Sequence, residues 1–196
     1  MNELYFKRKS VVIAGTALLG AIVFVLDWTF KLSGLKIPFP YFAALKFDLL
    51  GIPIVIAFFL FGLYSATTVS AIAMFSIGLR DPFSGFMKFV AEFATILGVY
   101  LILRSRRSTT NRWKLASVGS GILTRVTVTS VANILFLPII WPTFYSSSFA
   151  VIASLHFIAS FNAVQGVLSI LGGFLLYEAI LLRFRNNKNT ENSITK

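Results

Sequence analysis

The chain has 196 residues, of which 57% are hydrophobic and only 13% charged, and its mean hydropathy is +0.82. That is more apolar surface than one soluble core can use, so it reads as a membrane protein with room for about five to seven spans and no separate soluble domain. No Cys is present and His156 is the lone histidine, which excludes disulfides, thiolate catalysis and Cys- or His-cluster metal sites. The net charge of +11 fits basic cytoplasmic loops beside apolar spans better than it fits nucleic-acid binding.

Apolar length and the Gly, Pro and charge breaks predict six helices, at residues 11–30, 48–62, 63–79, 85–104, 115–138 and 161–183. The first has a smooth face of Ala14, Gly15, Ala17, Gly20 and Ala21, and the spacing Ala17-x-x-x-Ala21 permits close helix approach. On spacing alone that face packs inside the same bundle. It is no cleaved signal, because its small residues lie mid-span. The second and third helices share one apolar run that must turn near Phe61-Gly62-Leu63, since a single helix of that length would overshoot the bilayer.

Charge placement tests the count. Lys7, Arg8 and Lys9 precede the first span; Arg104, Arg106, Arg107, Arg112 and Lys114 separate the fourth from the fifth; Arg183, Arg185 and Lys188 follow the sixth. Six spans bring all three clusters to one side, the cytoplasm, together with both termini, leaving 1–10 and 184–196 as cytoplasmic tails of a single domain. Five spans, the nearest alternative, break that agreement. On the other side, KLSGLKIPFPYFAALKF (31–47) is too apolar for a plain linker and is expected to fold back as a lid. Residues 139–160 are expected to turn at Pro142 and hold a short interfacial helix containing His156, with Trp141 and Tyr145 at the headgroup level.

Polar residues at membrane depth need a partner, a ligand or a wet cavity. Lys46 and Asp48 start the second span, Lys88 and Glu92 lie in the first turns of the fourth, Asn133 lies near the outer end of the fifth, and Asn162 and Gln165 open the sixth. All fall in the outer half, which makes that half the candidate binding site. Asn162 and Gln165 share a helix face and offer both donors and acceptors, suited to a neutral heterocycle or a sugar-like chain. The alternative is that Lys88 and Glu92, at i and i+4, neutralise each other and the amides only join helices. Arg125 is deeper, on a stripe with Thr129 and Asn133, and Glu178 is its expected ion-pair partner.

The chain contains no G-x-x-x-x-G-K-[ST], no H-E-x-x-H and no Ser/His/acid set at one depth. An enzyme using Lys88 and Glu92 as an acid/base pair lacks a nucleophile, a metal set or a second aligned acid. A non-transporting assembly subunit working through Ala17 and Ala21 is a third reading.

LKFDLLGIPIVIAFFLFG, SGFMKFVAEFATILGVYLI, TSVANILFLPII and SFNAVQGVLSILGGFLLYEAI, in that order, resemble the second, fourth, fifth and sixth helices of substrate-binding (S) components of energy-coupling-factor (ECF) transporters, the riboflavin type above all. The resemblance implies a six-helix, all-α membrane bundle in the plasma membrane that captures a vitamin from outside and has no ATPase and no resident cofactor of its own. It also implies a transmembrane coupling (T) subunit and two ATP-binding cassette ATPases as partners, with Ala17 and Ala21 facing the coupling subunit. Carried over by motif position, Leu45, Phe47, Asn133 and Asn162 contact the vitamin. Together with the polar cluster read from the residues, the site is Leu45, Phe47, Asp48, Lys88, Glu92, Asn133, Asn162 and Gln165. Gln165 stands where the riboflavin type usually has Lys, which leaves riboflavin first among flavins and other vitamins or precursors open.

Overall fold

A computed structural model describes residues 8–105, 111–143, 145 and 147–194, without the side chains of 42–44, 105, 111 and 185–194. Lys7, Arg106 and Arg107 lie outside the described residues, as do the side chains of Arg185 and Lys188. Among the described residues the chain forms six helices and one two-stranded hairpin: α1 Lys9–Leu32, β1 Ile37–Phe39, β2 Phe42–Phe47, α2 Gly51–Phe61, α3 Leu63–Gly78, α4 Pro82–Ser105, α5 Asn111–Ile140 and α6 Ser148–Ile194. α1, α4, α5 and α6 are each long and apolar enough to cross a membrane, and α2 and α3 are shorter apolar helices.

The breaks have local causes. α1 ends where Ser33 N and Oγ both donate to the Thr29 carbonyl, and Gly34 then takes a positive φ, the left-handed stop that glycine adopts without strain. α2 ends at Gly62, whose φ of 94° lets its N–H close α2 on the Phe58 carbonyl while its own carbonyl starts α3 by accepting from Ala66 N. Asp81 caps α4 by accepting from Phe83 N and Ser84 N, with Pro82 at the first helical position, where no N–H is needed.

α2 is apolar all round and buried along most of its length, as a helix enclosed by others must be. α3, α4, α5 and α6 follow one another around it, α6 returns onto α2, and α1 packs on α2 and α3. The core is built from Val23, Leu50, Ile54, Phe58, Val69, Ile96 and Ile170. Small residues set the close contacts: a Cβ on Gly98 of α4 would meet the Ser120 carbonyl of α5 at 2.6 Å, and one on Gly173 of α6 would meet Val55 of α2 at 2.5 Å. The opposite faces carry exposed Ile13, Leu123 and Leu175, the pattern of helices whose outer solvent is lipid.

Two sequence expectations are corrected by the structure. The expected all-α bundle also holds strands within 31–47: β1 and β2 pair antiparallel with Ile37 opposite Phe47 and Pro38 opposite Lys46, so the described residues are all-helical apart from this hairpin. The interfacial helix expected before residue 161 is not separate either. α6 begins at Ser148 and runs through His156 without a break, then on through the expected tail to Ile194, because no Gly or Pro lies between 148 and 165 to interrupt it. His156 is exposed on this helix, with its ring against Phe157 at 3.8 Å.

Candidate functional site

The hairpin is seated by aromatic side chains. Phe39, 8% exposed, meets Phe47 at 5.9 Å and Phe161 of α6 at 5.8 Å, and Tyr41 stacks on Phe157 at 5.7 Å. Edge-to-face and offset pairs at such distances are favourable beyond their buried area. The hairpin, its turn included, thereby lies against Phe157 and Phe161 of α6.

Beneath it is a cavity of about 470 Å³ at one end of the bundle. Five of the six helices contribute to its wall: Phe30 from α1, Ile77 and Arg80 at the end of α3, Phe83 and Lys88 from α4, Asn133 and Leu137 from α5, Phe161 and Asn162 from α6, with Leu45, Lys46 and Asp48 from the hairpin side. Aromatic walls with a few polar groups are the usual make-up of a small-molecule site.

The cavity floor is a charged chain. Lys88 Nζ lies 2.7 Å from Asp48 Oδ1 and 3.0 Å from Glu92 Oε1, and Arg125 Nη1 lies 3.1 Å from the same Glu92 oxygen. Arg125 also donates to Thr95 Oγ1 at 3.1 Å and, through Nε, to Asn162 Oδ1 at 3.3 Å. Two cations and two carboxylates alternate, so the chain is neutral as a whole, which is what allows ions to persist at membrane depth.

Of the predicted site residues, Leu45, Asp48, Lys88, Asn133, Asn162 and Gln165 line the cavity together. Glu92 is fully buried and acts from below, on Lys88 and Arg125. Phe47 is not among the lining residues; its ring is taken up by Phe39 and by Phe161 at 4.9 Å. The amides are mostly engaged. Gln165 Nε2 donates to the Asp48 carbonyl at 2.8 Å, and Asn162 Nδ2 donates to the Ile158 carbonyl at 2.9 Å. Asn133, which lines the cavity, donates Nδ2 to the Thr129 carbonyl and keeps its Oδ1 as an acceptor.

The expected Arg125–Glu178 pair does not form. Glu178 lies 3.4 Å from Lys114 at the other end of the bundle, both side chains being more than 40% exposed, while Arg125 is held by Glu92. Helix register explains the difference: Glu92 is one turn below Lys88 and meets Arg125 of α5, whereas Glu178 is about three and a half turns below Gln165.

A second charged node was not anticipated. Asp27 of α1 is fully buried, with Lys36 Nζ at 2.8 Å, Arg80 Nη2 at 2.6 Å and Ser76 Oγ at 2.8 Å. Arg80 also lies over the Trp28 ring at 4.7 Å. The signal was available, since Asp27 is the lone acid within the first apolar span and such a residue requires a partner.

On α1 the small residues divide. Gly15 and Gly20 face inward, where a Cβ would meet Phe61 at 2.2 Å and Ile72 at 2.3 Å. Ala17 and Ala21 face outward and are exposed.

The model of the ECF transporter substrate-specific component family matches residues 11–188. The chain belongs to that family. The solved structure of the S component of a bacterial ECF transporter has the same fold, with a TM-score of 0.74 at 23% identity, covering 90% of this chain and 99% of that one. No curated sequence matches. As a substrate-specific component, the chain is an integral membrane protein that binds a small-molecule substrate for a transporter; it is not an enzyme. Family membership also implies coupling and ATPase subunits as partners.

Proposed function

We propose that this S component captures a flavin-like vitamin, riboflavin first, in the cavity under the hairpin. The observation that carries the reading is the convergence of five helices and the hairpin on one aromatic-walled space of about 470 Å³, within the range of about 300 to 1,000 Å³ usual for small-molecule sites. Phe30, Phe83, Trp141 and Phe161 offer faces and edges to a flat ring, and Asn133 offers polar contact to its rim. The bundle end opposite the cavity carries Arg8, Lys9, Arg104, Arg112 and Lys114. Six of the 18 Lys and Arg lie around the cavity and the other twelve at 7–9, 104–114 and 183–196; that bias supports reading the opposite end as cytoplasmic, with the cavity open to the outside.

Uptake then requires partners: a coupling subunit against the exposed Ala17 and Ala21 of α1, and two ATP-binding cassette ATPases to drive release inward. Exposed small residues allow a partner helix close approach. The test is direct. The protein is purified in detergent, its visible spectrum recorded, and any released compound identified by mass spectrometry. A flavin spectrum supports the reading; a different vitamin, or release of none with no binding of added riboflavin, removes the flavin assignment while the family stands.

A further inference from the structure

The basic groups around the cavity outnumber the acidic ones. Lys31, Lys36, Lys46, Arg80, Lys88 and Arg125 line it, against Asp27, Asp48, Asp81 and Glu92 in or behind its wall. Their distribution is uneven. Asp48, Lys88, Glu92 and Arg125 balance one another in the floor. Asp81 is occupied with the start of α4, accepting from Phe83 N, Ser84 N and the Ser84 hydroxyl. The surplus therefore collects on the side where α1 meets α3, where Lys36 and Arg80 share the single carboxylate of Asp27.

Arg80 is only partly used there. Its Nη2 bonds Asp27 and its plane lies over Trp28, but its buried Nη1 has no hydrogen-bond partner. Lys31 and Lys46 are exposed and enter no ion pair among the described residues. Surplus positive charge at the mouth of a low-dielectric cavity is unfavourable in itself and attracts an anion. Of the three carboxamides on the cavity wall, Gln165 is bonded to the Asp48 backbone and Asn162 to Arg125, which leaves Asn133 as the one with a spare acceptor for a neutral ligand.

We propose that the substrate carries an acidic group, a carboxylate or a phosphate monoester, which docks against Arg80 and Lys36. That group meets the Arg80 side chain, which lines the cavity and is held in direction by the Trp28 stacking, while Lys31 and Lys46 draw the anion to the opening. The inference rests on the cavity being the substrate site, and it changes the order within the flavin reading: a phosphorylated flavin comes before neutral riboflavin.

The test uses matched acid and neutral probes on the ligand-free full chain in detergent: riboflavin 5′-phosphate with riboflavin, nicotinate with nicotinamide, and biotin with biotin amide. Calorimetry is expected to show, within the pair that binds, an advantage of about tenfold or more for the acid, shrinking as salt is raised. Arg80→Gln should bring the acid-to-neutral affinity ratio measured in that variant close to one, and Lys46→Gln, a change at an exposed position outside any ion pair among the described residues, should reduce it. A neutral member that binds as tightly as its acid overturns the proposal, as does equal loss of both in Arg80→Gln. Failure of both flavins beside binding of another acid removes the flavin reading and leaves this one standing. Binding of no member of any pair counts against both.

Discussion

The Gln165 carboxamide holds the Asp48 peptide unit on both sides: Nε2 donates to the Asp48 carbonyl at 2.8 Å, and Oε1 accepts from Asp48 N at 3.3 Å. Asp48 joins the hairpin to α2, so this contact ties the foot of the hairpin to α6. A lysine donates but does not accept, and Gln165 is only 1% exposed. Gln165→Lys is therefore expected to lower stability by about 1 to 3 kcal/mol and to weaken ligand binding, although the riboflavin type usually has lysine there. Thermal unfolding in detergent and a binding titration check this; an unchanged melting point with tighter binding would show that lysine can replace the clamp.

Breaking the cavity floor should cost more than replacing it. Arg125→Met leaves Glu92 to Lys88 alone, and Glu92→Leu leaves Arg125 buried without a carboxylate. Each single change is expected to destabilise by about 3 to 5 kcal/mol, the usual cost of orphaning a buried ion. The double variant keeps Lys88 paired with Asp48 and restores neutrality, so it should be more stable than either single one. Denaturant unfolding of all four proteins measures the coupling; additive losses would mean that Glu92 and Arg125 do not act as a pair.

The two faces of α1 should separate stability from assembly. Gly20→Ala brings a methyl group to 2.3 Å from Ile72 and is expected to destabilise the isolated subunit by about 1 to 3 kcal/mol. Ala17→Trp and Ala21→Trp project from an exposed face, so stability and ligand binding should persist while co-purification with the coupling subunit and uptake are lost. Loss of ligand binding in the tryptophan variants would place those alanines in the packing of the bundle instead.

Asp27 links α1 to the hairpin approach through Lys36 and to α3 through Arg80 and Ser76. Asp27→Asn removes the charge that both cations share, and because Lys36 and Arg80 are partly exposed the expected loss is modest, about 1 to 3 kcal/mol. The local effect should be larger, with faster tryptic cleavage after Lys36. Equal cleavage rates in the variant and the parent protein would show that the hairpin approach is held by its aromatic contacts alone.

Much of this molecule was written in local chemistry. The six helices and the turn at Gly62 follow from apolar run length and one glycine in a run too long for one helix. The gathering of Asp48, Lys88, Asn133, Asn162 and Gln165 around one cavity follows from depth, because alternating helices carry equal depths to one end of a bundle. Depth along a helix says nothing about which side chain meets which. That Arg125 takes Glu92 and not Glu178, that Gln165 bonds the Asp48 backbone, and that Gly20 turns inward while Ala21 turns outward depend on helix rotation and neighbour order, which only packing decides. The hairpin was hidden for a related reason: β1 has only three residues and carries Pro38, and the hairpin is held by Phe161 and Phe157 more than a hundred residues away.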